Sequence, residues 1–432
     1  MSSSPSTIRI AILGGGISAA ALLRGLLRHS HVAVDIYNPQ PQFKEEGQGV
    51  AVTPVGEEIL NKLDPSLDAV LDRIGAFQSY TELRVASGQY AGESINFPGR
   101  GRNETKTIER QAFLDALMKD TPPRSIHRNS RIATVTEALN GAVVIAFADG
   151  TEKKYDVVVG ADGLHGITRK FVLGVNESSL QPQHTGIWGL TLRVPYDKAR
   201  EAMGDEFLDI NQPLQMSWIG NGTIMQHHLT GEGKGVYLAA YARHSDCAST
   251  DPWAKVLTPE EFGAVFSQSE VPACQGMVKL IQSVYTVQVA AICQMRYAPA
   301  KTYVKKNVAL IGDAAHSTIK MQGTSITTAL EEAYILSTLL GEASSKDAIP
   351  AALQAFDEVC RPRAEDLARH VADCGLVMTG AHPDIGLDPF LLGQQLQIHW
   401  EVIRDSNVQA QHIAAINKMN QLLAERSPPR SS

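Results

Sequence analysis

Short apolar runs that end at glycines are the clearest pattern along the chain. Ile8 to Leu13 is a β-branched run, and Gly14, Gly15 and Gly16 follow it directly. The next residues, ISAAALLRGLLRHS, carry apolar side chains at helical spacing, and His31 to Tyr37 then has the pattern of a second strand. A strand, a helix and a strand within about 30 residues predict a βαβ unit of a parallel sheet.

Two later strands also run into glycine and an acidic residue. The segment YDVVVGADG leads to Asp162, after a predicted hairpin that turns at Asp149 and Gly150. The segment VALIGDAAH leads to Asp313, before a loop and an alanine-rich helix. An acidic residue between a strand end and a helix start suits a polar ligand.

The glycine-rich turn has the spacing GxGxxA, with Gly14, Gly16 and Ala19. In a βαβ unit the first glycine allows a tight turn, the second lets backbone approach a pyrophosphate, and the small third residue allows close helix packing. The turn therefore predicts a dinucleotide site, and the alternative is a plain packing turn. The second strand ends at Asn38, where a carboxylate would bind ribose more strongly, and the nearby acid, Asp35, lies inside the strand.

Composition narrows the class of protein. The chain has 432 residues, enough for one large and one smaller domain, and a net charge of −7 without a basic run, which argues against nucleic acid as a partner. No long apolar segment predicts a membrane span or a signal peptide, so we expect a cytoplasmic protein that does not associate with membranes. The five cysteines form no CxxC pair, which argues against a disulfide framework; they are Cys247, Cys274, Cys293, Cys360 and Cys374.

The order of motifs resembles that of a known family. The sequence runs from GxGxxA through EEGQGVAVTPVG (45–56), Arg110 in TIERQAFLDAL, GADG (160–163) and GDAAH (312–316) to FDEVCRPRA (356–364). This order is similar to that of the class A FAD-dependent monooxygenases, the single-component aromatic hydroxylases of the salicylate hydroxylase type. The resemblance covers about residues 8 to 375. Segments 193–207 and 215–229 look more like the fungal secondary-metabolite branch.

The resemblance implies an α/β fold with a Rossmann-type, GR2-like FAD-binding domain, an inserted β-sheet substrate domain and C-terminal helices. The FAD-binding domain would comprise residues 1–75, 105–180 and 296–385, and the substrate domain residues 76–104 and 181–295. Residues 386–432 would form a helical segment and a tail, with helix from Gln395 to Glu425.

The resemblance also assigns cofactor contacts. Gly14, Gly16 and Asn38 would bind the ADP half of FAD, with Asn38 standing where the family has glutamate. Arg110 would contact the pyrophosphate or the ribityl region, Asp162 would lie on the side of the pyrophosphate that NAD(P)H also visits, and Asp313 would bind a ribityl hydroxyl. The remaining expected FAD-binding positions are Gly49 and the segment from Gly323 to Ile326, which would present helix N–H groups to the flavin.

The family's chemistry sets the expected reaction. NAD(P)H would reduce FAD, O₂ would form a flavin C4a-hydroperoxide, and an electron-rich ring would attack the distal oxygen. We therefore expect hydroxylation or epoxidation of an aromatic, polyketide or alkaloid-type molecule, in a monomer or homodimer without a metal site. No catalytic base can be assigned from the sequence.

Several positions depart from the family pattern. Lys320 replaces a proline, Ser325 replaces a glycine, and Gly166 stands where serine is common. We expect Lys320 either to stabilise a substrate anion or reduced flavin as a catalytic residue, or to point to solvent. An arginine that helps to ionise the phenol would align near Thr191, and Arg193 could replace it as the second catalytic candidate.

These departures keep other functions open. A cyclase or isomerase could use the same scaffold without activating oxygen, and a flavin-free binding protein is a third possibility. Adjacent His227 and His228 make a poor metal pair, because neighbours on a strand face opposite sides. Four aromatic residues in predicted strands belong either to the core or to a substrate platform: Trp188, Trp218, Tyr237 and Tyr241.

Overall fold

The computed structural model describes most of the chain. The described ranges are 7–43, 49–78, 80–96, 105–175, 178–209, 214–230, 235–243, 253–320, 323–404 and 406–426. Residues 45–48 of the EEGQG motif, Cys247 and the tail after 426 lie outside these ranges.

The strands follow the predicted apolar runs. The glycine-flanked βαβ unit is present as β1, α1 and β2, and the hairpin that turns at Asp149 and Gly150 is formed by β9 and β10. In chain order the strands are β1 (Ile8–Leu13), β2 (Val32–Tyr37), β3 (Gly49–Val52), β4 (Phe77–Gln78), β5 (Tyr80–Val85), β6 (Lys106–Glu109), β7 (Ile126–His127), β8 (Ile132–Glu137), β9 (Val143–Phe147), β10 (Glu152–Tyr155), β11 (Val157–Gly160), β12 (Gln183–Pro195), β13 (Leu214–Gly220), β14 (Thr223–Thr230), β15 (Gly235–Arg243), β16 (Ala254–Leu257), β17 (Val289–Arg296), β18 (Val304–Lys305) and β19 (Val308–Leu310).

The helices are longest near the C-terminus. In chain order they are α1 (Ile17–Leu26), α2 (Pro54–Leu63), α3 (Val70–Arg73), α4 (Arg110–Met118), α5 (Thr168–Leu173), α6 (Tyr196–Met203), α7 (Pro259–Val265), α8 (Pro272–Val284), α9 (Asp313–His316), α10 (Thr324–Glu342), α11 (Ile349–Met378), α12 (Pro389–Arg404) and α13 (Val408–Arg426).

A six-stranded sheet carries the predicted βαβ unit. Its strand order is β18-β19-β11-β1-β2-β7, and all neighbours are parallel except β18 and β19. Strand β11 is buried throughout, as expected for a strand between two parallel neighbours under helices. The order places the carboxyl ends of β1, β11 and β19 side by side. Asp162 and Asp313 therefore lie at the same edge of this sheet.

A second, seven-stranded sheet is formed mainly by residues 183–296, in the order β16-β17-β12-β15-β14-β13-β5. It is antiparallel except for the pair β13 and β5. Alternation divides its side chains between two faces. One face packs on α6, α7 and α8 and includes Trp188 and Trp218, which are fully buried there. The other face carries Tyr237 and Tyr241.

The C-terminal segment differs from its prediction. The helix expected from Gln395 to Glu425 is two helices, because Asn407 starts a new one by accepting a hydrogen bond from the N–H of Ala410 at 2.8 Å. Helix α12 packs on the seven-stranded sheet through Leu392 and Leu396. Helix α13 instead joins the core of the six-stranded sheet, so the segment serves both parts of the fold.

Candidate active site

The glycine-rich turn brings the ends of β1 and β11 together. Gly14 has φ +134°, and a Cβ atom there would lie 2.0 Å from the carbonyl oxygen of Ala161. Only glycine fits, because this φ disfavours L side chains and backbone lies too close for a Cβ atom. Gly16 then forms the N-cap of α1. The turn predicted from the GxGxxA spacing is confirmed, and Gly14 is needed for the contact between the two strands.

Two further glycines allow close packing in the same region. Gly312 has φ +61°, and a Cβ atom there would lie 2.3 Å from Oγ of Ser18 in the first turn of α1. Gly323 has φ +70°, and its Cβ atom would lie 3.1 Å from the carbonyl oxygen of Ala51 in β3. Helix α10 begins directly after Gly323. These contacts bring α1, α9, α10 and β3 to one place at the edge of the six-stranded sheet.

Helices α1 and α10 present their N-termini there. Within the described ranges neither helix has a side-chain cap, nor an acidic residue in its first turn. Such N-termini keep N–H groups and partial positive charge available for an anionic ligand. In the first turn of α10, Ser325 carries a buried hydroxyl with no hydrogen-bond partner in the described part of the chain, and Ile326 is 9% exposed and packs into the core.

The carboxylate of Asp313 interacts with several basic side chains at the site. Nζ of Lys320 donates to Oδ2 of Asp313 at 2.7 Å, and the side chains of the two residues are 49% and 29% exposed. Burial would raise the pKa of Asp313, but the charges of Lys320, His316 and Arg110 outweigh it and lower the pKa. Asp313 is therefore ionised at neutral pH. Sequence reasoning did not foresee that Lys320 would pair with this carboxylate.

A second carboxylate, Glu332 of α10, holds the loop that carries Asp313. Its Oε2 accepts the N–H of Gly312 at 2.7 Å, and its Oε1 lies 2.7 Å from Nε2 of His316. Burial would lower the pKa of His316, but Glu332 and Asp313 together raise it. Sequence analysis missed Glu332, although an acidic residue inside the alanine-rich segment TALEEA is a signal that could have identified it.

The carboxylate of Asp162 is used within the protein. It accepts the N–H groups of Ile167 at 2.8 Å and Thr168 at 3.1 Å, and also the Thr168 hydroxyl, and so caps α5. Burial raises the pKa of Asp162, and these hydrogen bonds oppose the rise. Gly166 belongs to the same cap, because a Cβ atom there would lie 2.1 Å from Cγ of Asp162. This departure from the family pattern therefore has a local steric reason.

Arg169 was also missed as a site residue. It is 1% exposed, and its guanidinium donates to the carbonyl oxygens of Ser179, Ala314 and Ala315. The same guanidinium lies over the ring of Tyr297, 3.6 Å from the centroid. Arg169 thus connects the GADG segment to helix α9, which carries Asp313. No signal in the sequence identifies Arg169, because only the fold shows that its side chain is buried.

Asn38 is placed as predicted but is engaged locally. Its Nδ2 donates to the carbonyl oxygen of Gln42 at 2.7 Å, and its Oδ1 accepts the N–H of Gln40 at 3.1 Å. A Cβ atom on Gly15 would lie 2.6 Å from the Asn38 amide carbon, so this side chain sits against the glycine turn. One amide hydrogen and one lone pair are left for a ligand.

Strands β3 and β6 bring two predicted residues together. Gly49 pairs with Glu109, directly before Arg110 at the start of α4. A cation at a helix N-terminus is disfavoured by the helix dipole, so Arg110 is better explained by a nearby anion than by helix stability. Gly49 itself has ordinary contacts, with no atom closer than 3.5 Å to a Cβ placed on it.

The face of the seven-stranded sheet that carries Tyr241 packs on α11 and α12 and is also directed at the loop before α10. Ile187 and Tyr241 share an apolar cluster with Ile319, and Oε1 of Gln294 accepts the N–H of Lys320 at 2.9 Å. Tyr237 lies farther along this face, near Tyr241. The two tyrosines therefore line the side of the sheet that faces the site, whereas Trp188 and Trp218 are core residues.

Arg193 is not brought to Lys320. It is exposed at the far end of β12, six residues from Ile187, which corresponds to about 20 Å of extended strand. Its Nε lies 3.1 Å from the position that a Cβ atom would take on Gly235, which pairs with Pro195 at the end of the strand. The guanidinium is therefore turned toward the strand end.

The donor set fits FAD. Two uncapped helix N-termini suit a pyrophosphate and the polar edge of a flavin ring, and the ionised Asp313 suits a sugar-chain hydroxyl. Three glycines leave the backbone bare where these elements meet. No group of three or more metal-binding side chains occurs in the described part of the chain, and no helix described there could cross a membrane.

Comparisons with known proteins identify the family. Residues 271–371 match the family model described as an FAD binding domain. The chain is 30% identical over 367 residues to the 6-methylsalicylate 1-monooxygenase atA of Aspergillus terreus, covering 82% of this chain and 79% of that protein. It is 28% identical to a salicylate hydroxylase of Pseudomonas putida, covering 95% and 94% of the two chains.

The fold comparison gives the same family. A solved structure described as a salicylate hydroxylase substrate complex superposes with a TM-score of 0.81 at 25% identity, over 95% of this chain and 98% of the other. The shared fold includes the Rossmann-type FAD domain, the second sheet and the C-terminal helices. The chain therefore belongs to the FAD-dependent monooxygenases of the salicylate hydroxylase type.

Proposed function

We propose that this enzyme uses NAD(P)H and O₂ to hydroxylate or epoxidise an aromatic or polyketide-derived small molecule in secondary metabolism. The observation that carries the proposal is the meeting of two uncapped helix N-termini with the ionised Asp313, opposite the tyrosine-lined face of the second sheet. A cofactor held at the helices would face a substrate held at the sheet.

The residues described above would contact different parts of FAD. The N-terminus of α1, with Gly14 and Gly16, would hold the pyrophosphate, and Asn38 would contact the ribose with its remaining donor. Arg110 would neutralise phosphate charge beside Gly49, and Asp313 would accept a ribityl hydroxyl. The segment from Gly323 to Ile326 would present N–H groups to the flavin. When bound, FAD supplies electron transfer from NAD(P)H and the activation of O₂.

Lys320 is proposed to act on the flavin side of the site. Its ammonium is held at Asp313 by the 2.7 Å contact, next to the place assigned to the ribityl chain. A positive charge there favours a reduced, anionic flavin. Arg193 has weaker support as a catalytic residue because it is exposed and turned toward Gly235. Because the carboxylate of Asp162 caps α5, only the backbone of Asp162 would contact a pyrophosphate.

The buried sheet face would hold the substrate ring and exclude water from it. Closure against the loop is apolar, through Ile187, Ile319 and Tyr241. Exclusion of water strengthens hydrogen bonds to the substrate and protects reactive intermediates. The related proteins identified above are monooxygenases, and no observation specifically favours a cyclase on this scaffold.

The direct test is spectroscopic. We expect the purified protein to show flavin absorption bands that bleach when NADPH or NADH is added and recover in air. Bleaching should be faster with one class of ring in a panel of phenols, indoles and polyketide rings, and the product should gain one oxygen atom from ¹⁸O₂. Bound flavin that neither nucleotide reduces in the presence of any ring would contradict the proposal.

A further inference from the structure

We propose that the substrate of this enzyme is an aromatic ring with an aliphatic side chain, and that this chain lies on an exposed apolar strip at the edge of the second sheet. The apolar strip is defined here as two cross-strand pairs, Ala254 with Ile292 and Val256 with Ala290, on β16 and β17. The inference deepens the proposed function and depends on it, because the strip continues the face of the sheet that would hold the ring.

The strand registers place the apolar strip on the same face as Tyr241. Ile292 of β17 pairs with Gly189 of β12, and Gly189 pairs with Tyr241 of β15. Residues opposite one another share a face of a sheet. The row that contains Tyr241 therefore ends at the strip.

Strand β17 is apolar on both faces, although only one face is covered by protein. It begins with the run VAAIC, which is typical of a strand buried on both sides. Val289, Ala291 and Cys293 are at most 3% exposed and pack in the core with helices α6 to α8. On the opposite face Ile292 is 72% exposed, and its neighbour Val256 is 54% exposed. An apolar group that covers these side chains would be stabilised, because it removes their surface from water.

Elsewhere on this face, large apolar side chains are covered by helices. Ile187 packs with residues of α11 and α12, and Ile219 and Ile224 pack with other residues of the same two helices. All three are fully buried. In the described ranges, Val256 and Ile292 are the large apolar side chains of this face that are exposed. The exposure is thus confined to the edge formed by β16 and β17.

The apolar strip begins beside the loop that carries Lys320. Oε1 of Gln294 accepts the N–H of Lys320 at 2.9 Å, and Ile292 lies two residues away on the same face, about 7 Å along the strand. A Cβ atom on Gly189 would lie 2.1 Å from Cδ1 of Tyr241, so the Tyr241 ring lies over β12, the strand next to β17. A substrate ring between Tyr241 and Lys320 would therefore have a substituent over the strip.

The size of the apolar strip fits a single alkyl chain. Two residues along each of two strands span about 7 Å by 5 Å. A stable protein interface needs about 800 Å² from each partner, which is far more than this strip offers. A chain of about five carbons on the substrate matches the strip better than a second protein does.

The inference concerns only the apolar substituent, whatever the charge of the ring. Three arginines also lie on this face, and all are outside the strip. Arg193 is exposed near the end of β12, Arg243 is half-buried opposite Ile187, and Arg296 is exposed at the end of β17. An anionic group on the ring can therefore find a cation without changing the place of the alkyl chain.

A series of ligands that differ in chain length tests the inference. Dissociation constants of 5-methyl-, 5-propyl- and 5-pentylresorcinol would be measured on the FAD-loaded enzyme by the change in the visible flavin spectrum. Full burial of one methylene tightens binding about fourfold, and an open face should give about twofold. We therefore expect the pentyl compound to bind at least about tenfold more tightly than the methyl compound. Equal affinities would overturn the inference.

A double variant tests whether the apolar strip causes this gain. Val256→Thr combined with Ile292→Thr keeps β-branched side chains but makes the strip polar, so the ratio of methyl to pentyl dissociation constants should fall below about threefold. Both residues are exposed, so the variant is expected to fold. Val175→Thr changes another exposed valine, which follows α5, and should keep the wild-type ratio. A wild-type ratio in the double variant would show that the chain lies elsewhere.

The other outcomes are also decisive. If no resorcinol binds, 4-alkylphenols with the same chains replace them, and a ratio near one in both series overturns the inference. A dimer that is lost in the double variant, measured by analytical ultracentrifugation, with the ligand ratio unchanged, would show that a second copy covers the strip instead. Failure of the proposed function would show differently, as flavin that NAD(P)H does not reduce, while the ratio could still be measured on FAD-free protein by calorimetry.

Discussion

At the scale of single residues, the carboxylate of Asp313 has the largest influence on the site. It follows the carboxyl end of β19 and begins helix α9, where Lys320, His316 and Arg110 act on its charge. Its pKa is lowered, so it can accept a hydrogen bond from a neutral hydroxyl group at any physiological pH. Its partner Lys320 occupies one oxygen and leaves the other for a ligand.

Asp313→Ala is expected to weaken FAD binding at least tenfold while the protein stays folded, because the variant removes the acceptor for the ribityl chain. Retained flavin absorbance after gel filtration measures the loss, and thermal unfolding checks the fold. Glu358→Ala breaks an ion pair with Lys418 away from the site and is the control. Full flavin occupancy in Asp313→Ala would remove Asp313 from the cofactor site.

Lys320→Met is expected to weaken binding of reduced FAD more than binding of oxidised FAD, because it removes a positive charge next to the flavin. A tenfold change in the ratio of the two affinities lowers the two-electron midpoint potential by about 30 mV. Dye-equilibration titration measures this potential. Lys320→Arg keeps the charge and should stay near the wild-type value, and an unchanged potential in Lys320→Met would show that the ammonium acts only on Asp313.

At the scale of elements, the start of α10 decides the shape of the flavin site. Gly323 turns the chain with a positive φ, lies against β3, and is followed at once by the helix. Helix α10 continues beneath α1, where a Cβ atom on Gly25 would lie 2.4 Å from Oγ of Ser337. The position of this N-terminus is thus determined by close packing on two sides.

Gly323→Ala is expected to destabilise the protein and to weaken FAD binding, because a Cβ atom would lie 3.1 Å from the carbonyl oxygen of Ala51. Gly88→Ala is the matched control: its φ is +78°, but no atom lies within 4 Å of the added Cβ. Both variants incur strain of about 1 kcal/mol from the left-handed conformation. Chemical denaturation and flavin titration should show a larger loss in Gly323→Ala, and equal losses would exclude a role for the β3 contact.

At the scale of the whole molecule, stability depends on separate hydrophobic cores around the two large sheets. The core between the seven-stranded sheet and helices α6 to α8 includes a buried histidine, His227. Neither of its ring nitrogens has a hydrogen-bond partner in the described ranges. Burial, followed by the effect of His228, lowers the pKa of His227 to about 3 from its ordinary value of 6.5.

His227→Leu is expected to raise the free energy of unfolding by about 1–3 kcal/mol at pH 7.5, because it removes two unsatisfied polar atoms. The folded state binds fewer protons than the unfolded state, so the wild type loses stability as pH falls below about 6.5. Between pH 7.5 and 5 it should lose about 2 kcal/mol more than the variant. Urea denaturation at both pH values measures this. Identical pH dependence in the two proteins would contradict a neutral, buried His227, and His165→Leu, at an exposed position, is the control.

Much of the site could be predicted because it depends on local backbone chemistry. The turn at Gly14, the strand ends at Asp162 and Asp313, and the helix start at Gly323 all follow from runs of apolar residues broken by glycine. The tasks of the polar side chains could not be predicted in the same way. Asp162 caps α5, Asn38 bonds its own loop, and Lys320 pairs with Asp313, and each depends on a neighbour that only folding supplies.

The sequence by itself determined the βαβ unit, the FAD-binding motifs and the family, because these depend on spacing within short segments. Only the tertiary structure decided which aromatic residues face the site and where each charge is neutralised. Strands β12 to β15 bring Thr191, Ser217, Gln226 and Tyr237 onto one face of the sheet from positions far apart in the chain. The face that each residue occupies depends on strand register, since a shift of one residue would exchange the two faces of the sheet.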